Sequence, residues 1–531
     1  MYSSRSGLIF DRSPVLRFSL SGGDFSVMDK WINLLTLHAA RKGALLFGLC
    51  FSEAASAHSF GKLYNLPVPF WMYLYGAAAA LVLSFLIVGY FVNAKAERAN
   101  LKVLDLSRYR FVRFWVHPAT ILTLRVLTVA LLALTILSGF IGSRNPYLNF
   151  NMTWFWILFV LGFSYLVSLI GNVYDPLNPW RAVVEAIEKW RPTLFAGRIR
   201  YAEAWGYYPA LGFYMAFIWI ELFAHSLPFS LSVILASYTA LNIAGAWLVG
   251  KQAWFRYCEF FGVMLWLISL CAPLERLPGP GRSVVLRQPF IGLLKEKASH
   301  FSLLLFVLFM LSSTAYDGIH ETLPWVKIFW KDIYQGVLKF IVGDNIVKSY
   351  PTLQLIYKVW QTATLMLSPL VYLVLYWLCL WLARKLTRSQ LPLRQLMLNF
   401  TLSLIPIAFV YNITHYYTLI ITQGGQIIRL ISDPFGWGWN LFGTAKWMTA
   451  AVTPDASFVW HSQVALILLG HIVSVYLAHL VALRVFPTQR QATLSQIPML
   501  FLMVIYTTMG LWILSQPITS GQIFVPTAPP K

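Results

Sequence analysis

Charged side chains are scarce in this chain of 531 residues, because Asp, Glu, Lys and Arg together make up only 11% of it. A soluble domain carries about a quarter. The shortage excludes an ordinary soluble enzyme, and several apolar runs reach the roughly 20 residues that cross a bilayer as a helix. The sequence therefore predicts an all-α, polytopic membrane protein with about ten to eleven transmembrane helices, surrounded by a lipid bilayer.

Acidic residues and cysteines are also few. The 20 acidic residues stand against 41 basic ones, a net charge of +21. In a membrane protein such an excess marks cytoplasmic loops, so we expect no nucleic-acid partner. The four cysteines form no CxxC pair, which excludes a cysteine metal knuckle and predicts no disulfide framework. HExxH, GxSxG, Walker and Rossmann motifs are absent too, so no soluble-enzyme motif assigns an activity.

A short apolar run near the start ends in Ala-Ser-Ala at 55–57. Basic residues precede the run, and it is too short to span a bilayer, which is the order of a secretory signal peptide. The sequence thus predicts an N-terminal extension and signal peptide over residues 1–57 and a multi-span transmembrane domain over residues 58–531. Cleavage would make His58 the first residue, outside the membrane. An uncleaved signal anchor is the alternative.

Ten segments are apolar and long enough to span the membrane. They lie at about 68–93, 118–141, 151–171, 207–226, 229–250, 301–319, 361–384, 397–421, 461–484 and 495–516. The segment 253–272 is a doubtful eleventh span, because it holds an arginine and a glutamate. Loops 94–117 and 172–206 are rich in Lys and Arg, so the positive-inside rule places both in the cytoplasm.

Ionisable side chains inside the expected spans are costly in lipid and indicate function. Two pairs have a spacing of three or four, which places each pair on one helix face near its outer end. Two further histidines lie in the middle or outer part of their spans. These residues are Glu221 with His225, Asp317 with His320, and the single histidines His415 and His471. Together they predict a polar cavity that opens to the outside.

Mixtures of histidine and carboxylate bind zinc, copper and related divalent metals. A mature N-terminal His58 would add a chelating pair of nitrogens. We therefore expect a divalent metal of unknown identity, zinc or copper, held by at least three ligands. The candidate ligands are His58, Glu221, His225, Asp317, His320, His415 and His471. The alternative is that each histidine bonds to a backbone carbonyl or a neighbouring helix and binds nothing.

A dense aromatic and polar stretch, QGGQIIRLISDPFGWGWNLFGTAKW, lies in an expected outer loop. Asp433 begins a turn, and Gly436 and Gly438 free the backbone that follows. The functional interpretation is a lid over the polar cavity, closed by Trp437 and Trp439, with Asp433 as a metal ligand or base. The alternative is an ordinary belt of aromatic residues at the membrane interface.

Two loop segments predict surface helices. Asn178 and Pro179 have the residue types of an N-cap and a first helical turn. Apolar residues then recur at helical spacing as far as Trp190, which predicts a helix lying along the cytoplasmic surface. On the outside, the stretch PWVKIFWKDIYQGVLKF is typical of a second surface helix with aromatic anchors.

Five stretches are distinctive: AHSFGKLYNLPVPFWMYLYGAAAA near the start, NPWR at 178–181, THYYTLIITQGGQ at 414–426, SDPFGWGWNLFGTA at 432–445, and VYLAHLVALRVFP near His479. They resemble one family of bacterial polytopic membrane proteins, some members of which are labelled membrane-bound fenitrothion hydrolase. The likeness runs from about His58 to the C-terminus. The family motif YHxAHY is YNITHY here, with Asn412 in place of the first histidine.

The resemblance implies a multi-pass protein of the bacterial inner membrane that hydrolyses phosphorothioate triesters and releases a nitrophenol. Its substrate would be an apolar small molecule that partitions into the outer leaflet. The reaction needs an activated water, and the residues themselves suggest His415 and Asp433 as catalytic groups. Two other functions stay open, a metal (copper) transporter or permease and a non-catalytic assembly partner of another membrane complex.

Overall fold

The computed structural model describes residues 69–91, 103–224, 226–277, 283–343, 345–447, 452 and 454–516. The predicted signal peptide, together with His58 and His225, lies outside the described residues. Within the described part the chain is almost wholly helical, and its long helices are apolar. The all-α, polytopic membrane fold that the composition predicts is therefore confirmed.

The described residues up to 277 form ten α-helices and two short strands. They are α1 (Phe70–Phe91), β1 (Leu104–Asp105), α2 (Arg110–Val116), α3 (Pro118–Ile141), α4 (Phe150–Ile170), α5 (Tyr174–Leu177), α6 (Pro179–Trp190), α7 (Tyr208–Phe223), α8 (Pro228–Val249), α9 (Lys251–Tyr257), α10 (Phe260–Ser269) and β2 (Leu274–Arg276). Helix α4 widens to π-helical turns over Thr153–Gly162, and a 3₁₀ turn covers Glu203–Trp205.

The described residues from 283 onward form one strand and ten α-helices. They are β3 (Val284–Leu286), α11 (Gly292–Lys295), α12 (Phe301–His320), α13 (Leu323–Lys327), α14 (Lys339–Val342), α15 (Ile346–Thr387), α16 (Leu393–Phe400), α17 (Ile405–Gln423), α18 (Ile427–Ser432), α19 (Ala456–Val485) and α20 (Gln489–Ser515). A π-helix, Ile328–Leu338, joins α13 to α14, so the predicted outer surface segment is helical. Short 3₁₀ turns link α16, α17 and α18.

Nine helices or helix runs of the described chain are long and apolar enough to cross a membrane. They are α1, α3, α4, α8, α12, α15, the run from α16 to α18, α19 and α20. The expected span 207–226 and the doubtful segment 253–272 are not among them. Helix α7 has 16 residues, which is about 24 Å at 1.5 Å per residue, against a hydrocarbon layer of about 30 Å. The segment 253–272 is divided between α9 and α10 at Cys258 and Glu259.

The three strands form a small antiparallel sheet in the order β1-β3-β2. Leu286 in the central strand lies opposite both Leu104 and Leu274. Each strand has only two or three residues. The sheet therefore joins two loops, one that precedes α2 and one that follows α10, and it leaves the helical class of the fold unchanged.

The centre of the bundle consists of α12 and the run from α16 to α18. In the most apolar 18-residue stretch of each of these two elements, 83% and 78% of the residues are buried inside the protein. In the corresponding stretch of α3, only 6% are buried. Helix α3 therefore presents its apolar side chains to lipid. Polar groups are costly in lipid and are tolerated within a bundle, and α12 and α17 carry the polar residues of the candidate site.

The stretch NPWR begins α6, as its residue types predict. Asn178 Oδ1 accepts a hydrogen bond from the Arg181 amide at 3.0 Å and so caps the helix. Trp180 is 1% exposed, and its Nε1 donates to Thr239 Oγ1 at 3.0 Å. Trp190 at the other end is 89% exposed. The structure confirms the helix, whose buried residues are Pro179, Trp180 and Val184. Its position along the cytoplasmic surface stays a prediction.

Glu259 is fully buried and connects α6 to α10. Its carboxylate accepts four hydrogen bonds, from Asn178 Nδ2 at 2.9 Å, the Tyr238 hydroxyl at 2.7 Å, and the amides of Phe261 and Gly262 at 3.1 and 2.8 Å. The two amides are unpaired donors at the start of α10, so the carboxylate caps that helix. A Cβ at position 262 would lie 2.8 Å from Glu259 Oε2, which explains the glycine there.

We expect Gly139→Ala to destabilise the protein by about 1–3 kcal/mol, because α3 and α8 touch at this glycine. A Cβ there would overlap Ser232 Oγ, the Pro228 carbonyl oxygen and Asn151 Nδ2. The matched control is Gly212→Ala in α7, where a Cβ meets nothing within 4 Å and alanine favours the helix. Thermal melting of the purified variants checks this. An unchanged Tm for Gly139→Ala would contradict the close contact.

Candidate functional site

A histidine and an aspartate from two central helices meet in a direct hydrogen bond. Asp317 lies in the last turn of α12, and His415 lies in α17. The distance from His415 Nε2 to Asp317 Oδ2 is 2.7 Å. The hydroxyl of Tyr416, the next residue of α17, donates to the same oxygen at 2.6 Å. The sequence predicts that Asp317 and His415 share one site, and the structure brings them into contact.

The surroundings of the pair are tight. The side chain of Asp317 is 9% exposed and that of His415 is 17% exposed. Gly318 follows Asp317, and a Cβ there would overlap Ile513 Cγ2 of α20 and lie 3.7 Å from His415 Cε1. The absence of a side chain at position 318 therefore lets α20 close over the pair. This packing holds the imidazole and the carboxylate in one relative orientation.

The hydrogen bond decides which nitrogen of His415 is basic. A carboxylate only accepts hydrogen bonds, so Nε2 carries the hydrogen when the ring is neutral, and Nδ1 carries the lone pair. No described residue bonds to that Nδ1. Asp317 thus orients the imidazole and would stabilise its positive charge after Nδ1 takes up a proton. The arrangement is that of a general base with its orienting carboxylate.

His320 lies near the pair but bonds to its own helix. Its Nδ1 is 2.7 Å from the backbone oxygen of Asp317 and 3.2 Å from that of Tyr316. Its distance to Asp317 Oδ1 is 3.9 Å, which is too long for a hydrogen bond. The imidazole also stacks on the Tyr316 ring, with centroids 5.6 Å apart. This agrees with the alternative that the histidine has a structural role.

His471 is likewise satisfied within its helix, α19. Its Nδ1 lies 2.9 Å from the Ile467 carbonyl oxygen, and its side chain is buried. The other ring nitrogen of His471, Nε2, has no hydrogen-bond partner among the described residues. The described structure shows no bond from His471 to Asp317 or His415. The predicted ligand His471 is therefore not joined to the His415–Asp317 pair.

Asp433 stabilises a turn of its own loop. One carboxylate oxygen accepts from the Trp437 amide at 2.9 Å, and the other accepts from the Gly438 amide at 2.7 Å. The loop is fixed to the connection between α3 and α4, because the Ser143 amide donates to the Phe435 carbonyl at 2.7 Å. Since backbone amides engage both oxygens, Asp433 has a structural role in this turn, and its role as ligand or base stays a prediction.

The loop 433–447 does not cover the polar cavity that lies between α4, α7, α10, α12 and α17. None of the described residues that line that cavity comes from residues 433–447. Trp437 and Trp439 are 51% and 40% exposed, and their rings pack with Phe435. Exposed tryptophans at the end of a bundle are typical of a membrane-interface belt. The described structure thus agrees with the belt and shows no lid over this cavity.

Next to the pair lies a small polar cavity of about 40 Å³. Its walls come from α4, α7, α10, α12 and α17. Its polar lining includes Glu221 of α7, Ser313 of α12, and Asn412 and Tyr416 of α17. Tyr416 connects the cavity to Asp317, because its hydroxyl bonds to that carboxylate. The volume suffices for a few water molecules. Glu221 therefore belongs to the same polar region as the pair, as the sequence predicts.

The described residues do not fit the predicted divalent metal. Among the residues that the structure describes, no group of three or more His, Cys, Asp or Glu side chains could hold a metal ion. The distance of 2.7 Å between His415 Nε2 and Asp317 Oδ2 is that of a direct hydrogen bond. The ligand atoms of a tetrahedral zinc ion lie roughly 3.4 Å from each other, because each lies about 2.0–2.1 Å from the metal. The two side-chain atoms are therefore closer together than two zinc ligands would be. His58 and His225 fall outside the described residues.

No family model, no curated protein and no solved structure matches this chain.

Tyr416 is the site residue that the sequence reasoning missed. A tyrosine inside an apolar span looks like ordinary packing, and its role becomes visible only through its 2.6 Å bond to Asp317. One signal was available, because Tyr416 follows Asn412 by four residues and so shares its helix face. Both residues line the polar cavity.

Proposed function

We propose that this chain is a membrane-bound hydrolase of apolar organophosphorus triesters, in which His415 acts as the general base. The observation that carries the proposal is the 2.7 Å bond between His415 Nε2 and Asp317 Oδ2 on two central helices. A buried, oriented imidazole beside a carboxylate is suited to removing a proton from water. The resemblance of the quoted motifs to proteins labelled fenitrothion hydrolase supports the choice of substrate.

In the proposed reaction, a water molecule stands between Nδ1 of His415 and the phosphorus atom of the triester. Its proton passes to Nδ1 while its oxygen forms a bond to phosphorus. The bond from phosphorus to the aryl oxygen breaks, and the nitrophenolate leaves with the electron pair. Asp317 stabilises the imidazolium until the proton is released to water. Tyr416 fixes the carboxylate by donating to the same oxygen that accepts from Nε2.

The size of the polar cavity restricts where the triester binds. Binding sites for small molecules commonly have volumes of about 300–1,000 Å³, far above the cavity's 40 Å³. The triester is therefore assigned to the partly exposed side of His415, whose side chain is 17% exposed. An apolar triester dissolves in the bilayer and would reach this side through the lipid. The small cavity stays available for water or an ion.

The test is hydrolysis of fenitrothion by the purified full chain in lipid nanodiscs, in water enriched in ¹⁸O. We expect saturable release of nitrophenolate and one ¹⁸O atom in each phosphorothioate diester formed. Because the described residues provide no group of three metal ligands, we also expect activity to survive treatment with a chelator. Release no faster than in empty nanodiscs would reject the proposal. Copper uptake by proteoliposomes without hydrolysis would favour the permease.

A further inference from the structure

The polar cavity has a mixed lining, in which apolar side chains surround a smaller set of groups that carry oxygen atoms. Glu221 contributes a carboxylate, Asn412 an amide, and Ser164, Ser313, Thr314 and Tyr416 contribute hydroxyls. No lysine, arginine or histidine is among the described residues that line it. Carboxylate, hydroxyl and amide oxygens are the ligands that hard cations prefer. The oxygen-bearing part of the lining, with its single carboxylate and no basic side chain, is therefore chemically suited to a cation.

Three of the hydroxyl groups that line the cavity already donate their hydrogens to carbonyl or carboxylate oxygens of the protein. Ser164 donates to the Leu161 carbonyl at 2.7 Å, and Thr314 is directed at the Met310 carbonyl at 3.5 Å. Tyr416 donates to Asp317 at 2.6 Å. A hydroxyl that donates its single hydrogen retains only lone pairs for other partners. These three oxygens can therefore face the cavity only as acceptors, while the Asn412 amide and the Tyr214 hydroxyl, which also line it, can donate.

Ser313 provides a separate indication of a ligand. Its side chain is 2% exposed, it lines the cavity as Tyr214 does, and its Oγ makes no hydrogen bond of 3.5 Å or less to a described residue. A buried hydroxyl without a partner costs free energy, so such groups generally contact a water, an ion or another polar atom. Glu221 lines the same space, and a carboxyl group away from bulk water is ionised only when a positive partner compensates its charge.

We propose that this cavity binds one monovalent cation, Na⁺, with Glu221 as its charged ligand and Ser313 as a neutral one. A single carboxylate in the lining balances a single positive charge. The volume of about 40 Å³ leaves room for an ion that has lost most of its hydration shell. The site is distinct from the His415–Asp317 pair, and Tyr416 is the residue that links the two.

The test is equilibrium binding of ²²Na⁺ to the purified full chain, with choline chloride used to keep the ionic strength constant. We expect one saturable site for Na⁺, competed by unlabelled Na⁺ and not by K⁺. Glu221→Gln should weaken the apparent Kd by about 100-fold and Ser313→Ala by about 10-fold. The matched control is Glu203→Gln, which changes an exposed glutamate outside the cavity lining and should bind as the wild type does.

Absence of saturable ²²Na⁺ binding to the wild type would overturn the proposal, as would an unchanged Kd in Ser313→Ala, which removes a single oxygen and is expected to fold. Equal competition by K⁺ would overturn the assignment to sodium. The cation site and the proposed hydrolysis fail separately. A protein that binds ²²Na⁺ but releases no nitrophenolate rejects only the hydrolase, and one that hydrolyses the triester without binding ²²Na⁺ rejects only the cation site.

Discussion

Replacing His415 by alanine is expected to lower kcat for fenitrothion hydrolysis by about 10²–10⁴-fold, the usual contribution of a general base. The change removes the nitrogen that takes the proton and leaves the rest of the bundle in place. KM should change little, because the apolar triester is held mainly by other contacts. Initial rates of nitrophenolate release from protein in nanodiscs give both constants.

The matched control is His461→Ala in α19. His461 is exposed, and its Nε2 bonds to the Tyr73 hydroxyl at 3.1 Å, away from Asp317. Its removal should leave kcat nearly unchanged. If His415→Ala kept wild-type kcat, His415 would not be the base. A loss of kcat of the same size in both variants would indicate a general effect on folding and would also contradict the assignment.

Replacing Glu259 by alanine should destabilise the protein by about 3–5 kcal/mol, the range for removing one partner from a buried charged contact. The change removes the acceptor of four hydrogen-bond donors, which belong to Asn178, Tyr238, Phe261 and Gly262. Each buried donor left unpaired costs about 1–3 kcal/mol unless water replaces the acceptor. We expect Tm to fall by about 3–5 °C for a chain of 531 residues, measured by thermal unfolding in detergent.

Two variants separate the loss of the four Glu259 hydrogen bonds from the loss of a negative charge. Glu203→Ala also removes a carboxylate, but residue 203 is exposed, so its Tm should stay close to the wild type. Glu259→Gln keeps an oxygen that accepts hydrogen bonds and should fall between the wild type and Glu259→Ala. A Tm for Glu259→Ala equal to that of Glu203→Ala would mean that the four hydrogen bonds do not stabilise the fold.

Most of the helices could be predicted from the sequence because local properties determine them. The apolar runs at 118–141 and 301–319 coincide with α3 and α12 almost to the residue. Asn178 caps α6 as its residue type indicates. Hydropathy could not show that the segment 253–272 breaks at Glu259, because the donors that satisfy this acid include Asn178 and Tyr238, which are 81 and 21 residues away.

The candidate site was only partly predictable for the same reason. Composition and spacing locate Asp317 and His415 near the outer ends of their spans. Their contact joins residues 98 apart in the chain, and a single sequence does not specify which helices pack together. His320 and His471 could not be told from ligands, since their bonds run to carbonyl oxygens of their own helices. Any buried helical histidine has such carbonyl oxygens nearby.

A double-mutant cycle in kcat between His415→Ala and Asp317→Asn tests directly whether the two residues act together. If Asp317 acts only by orienting and stabilising the His415 imidazole, its replacement has nothing left to impair once the imidazole is gone. The predicted result is that the double variant is no slower than His415→Ala. A double variant slowed by the product of the two single effects would contradict the claim that these residues act as one unit.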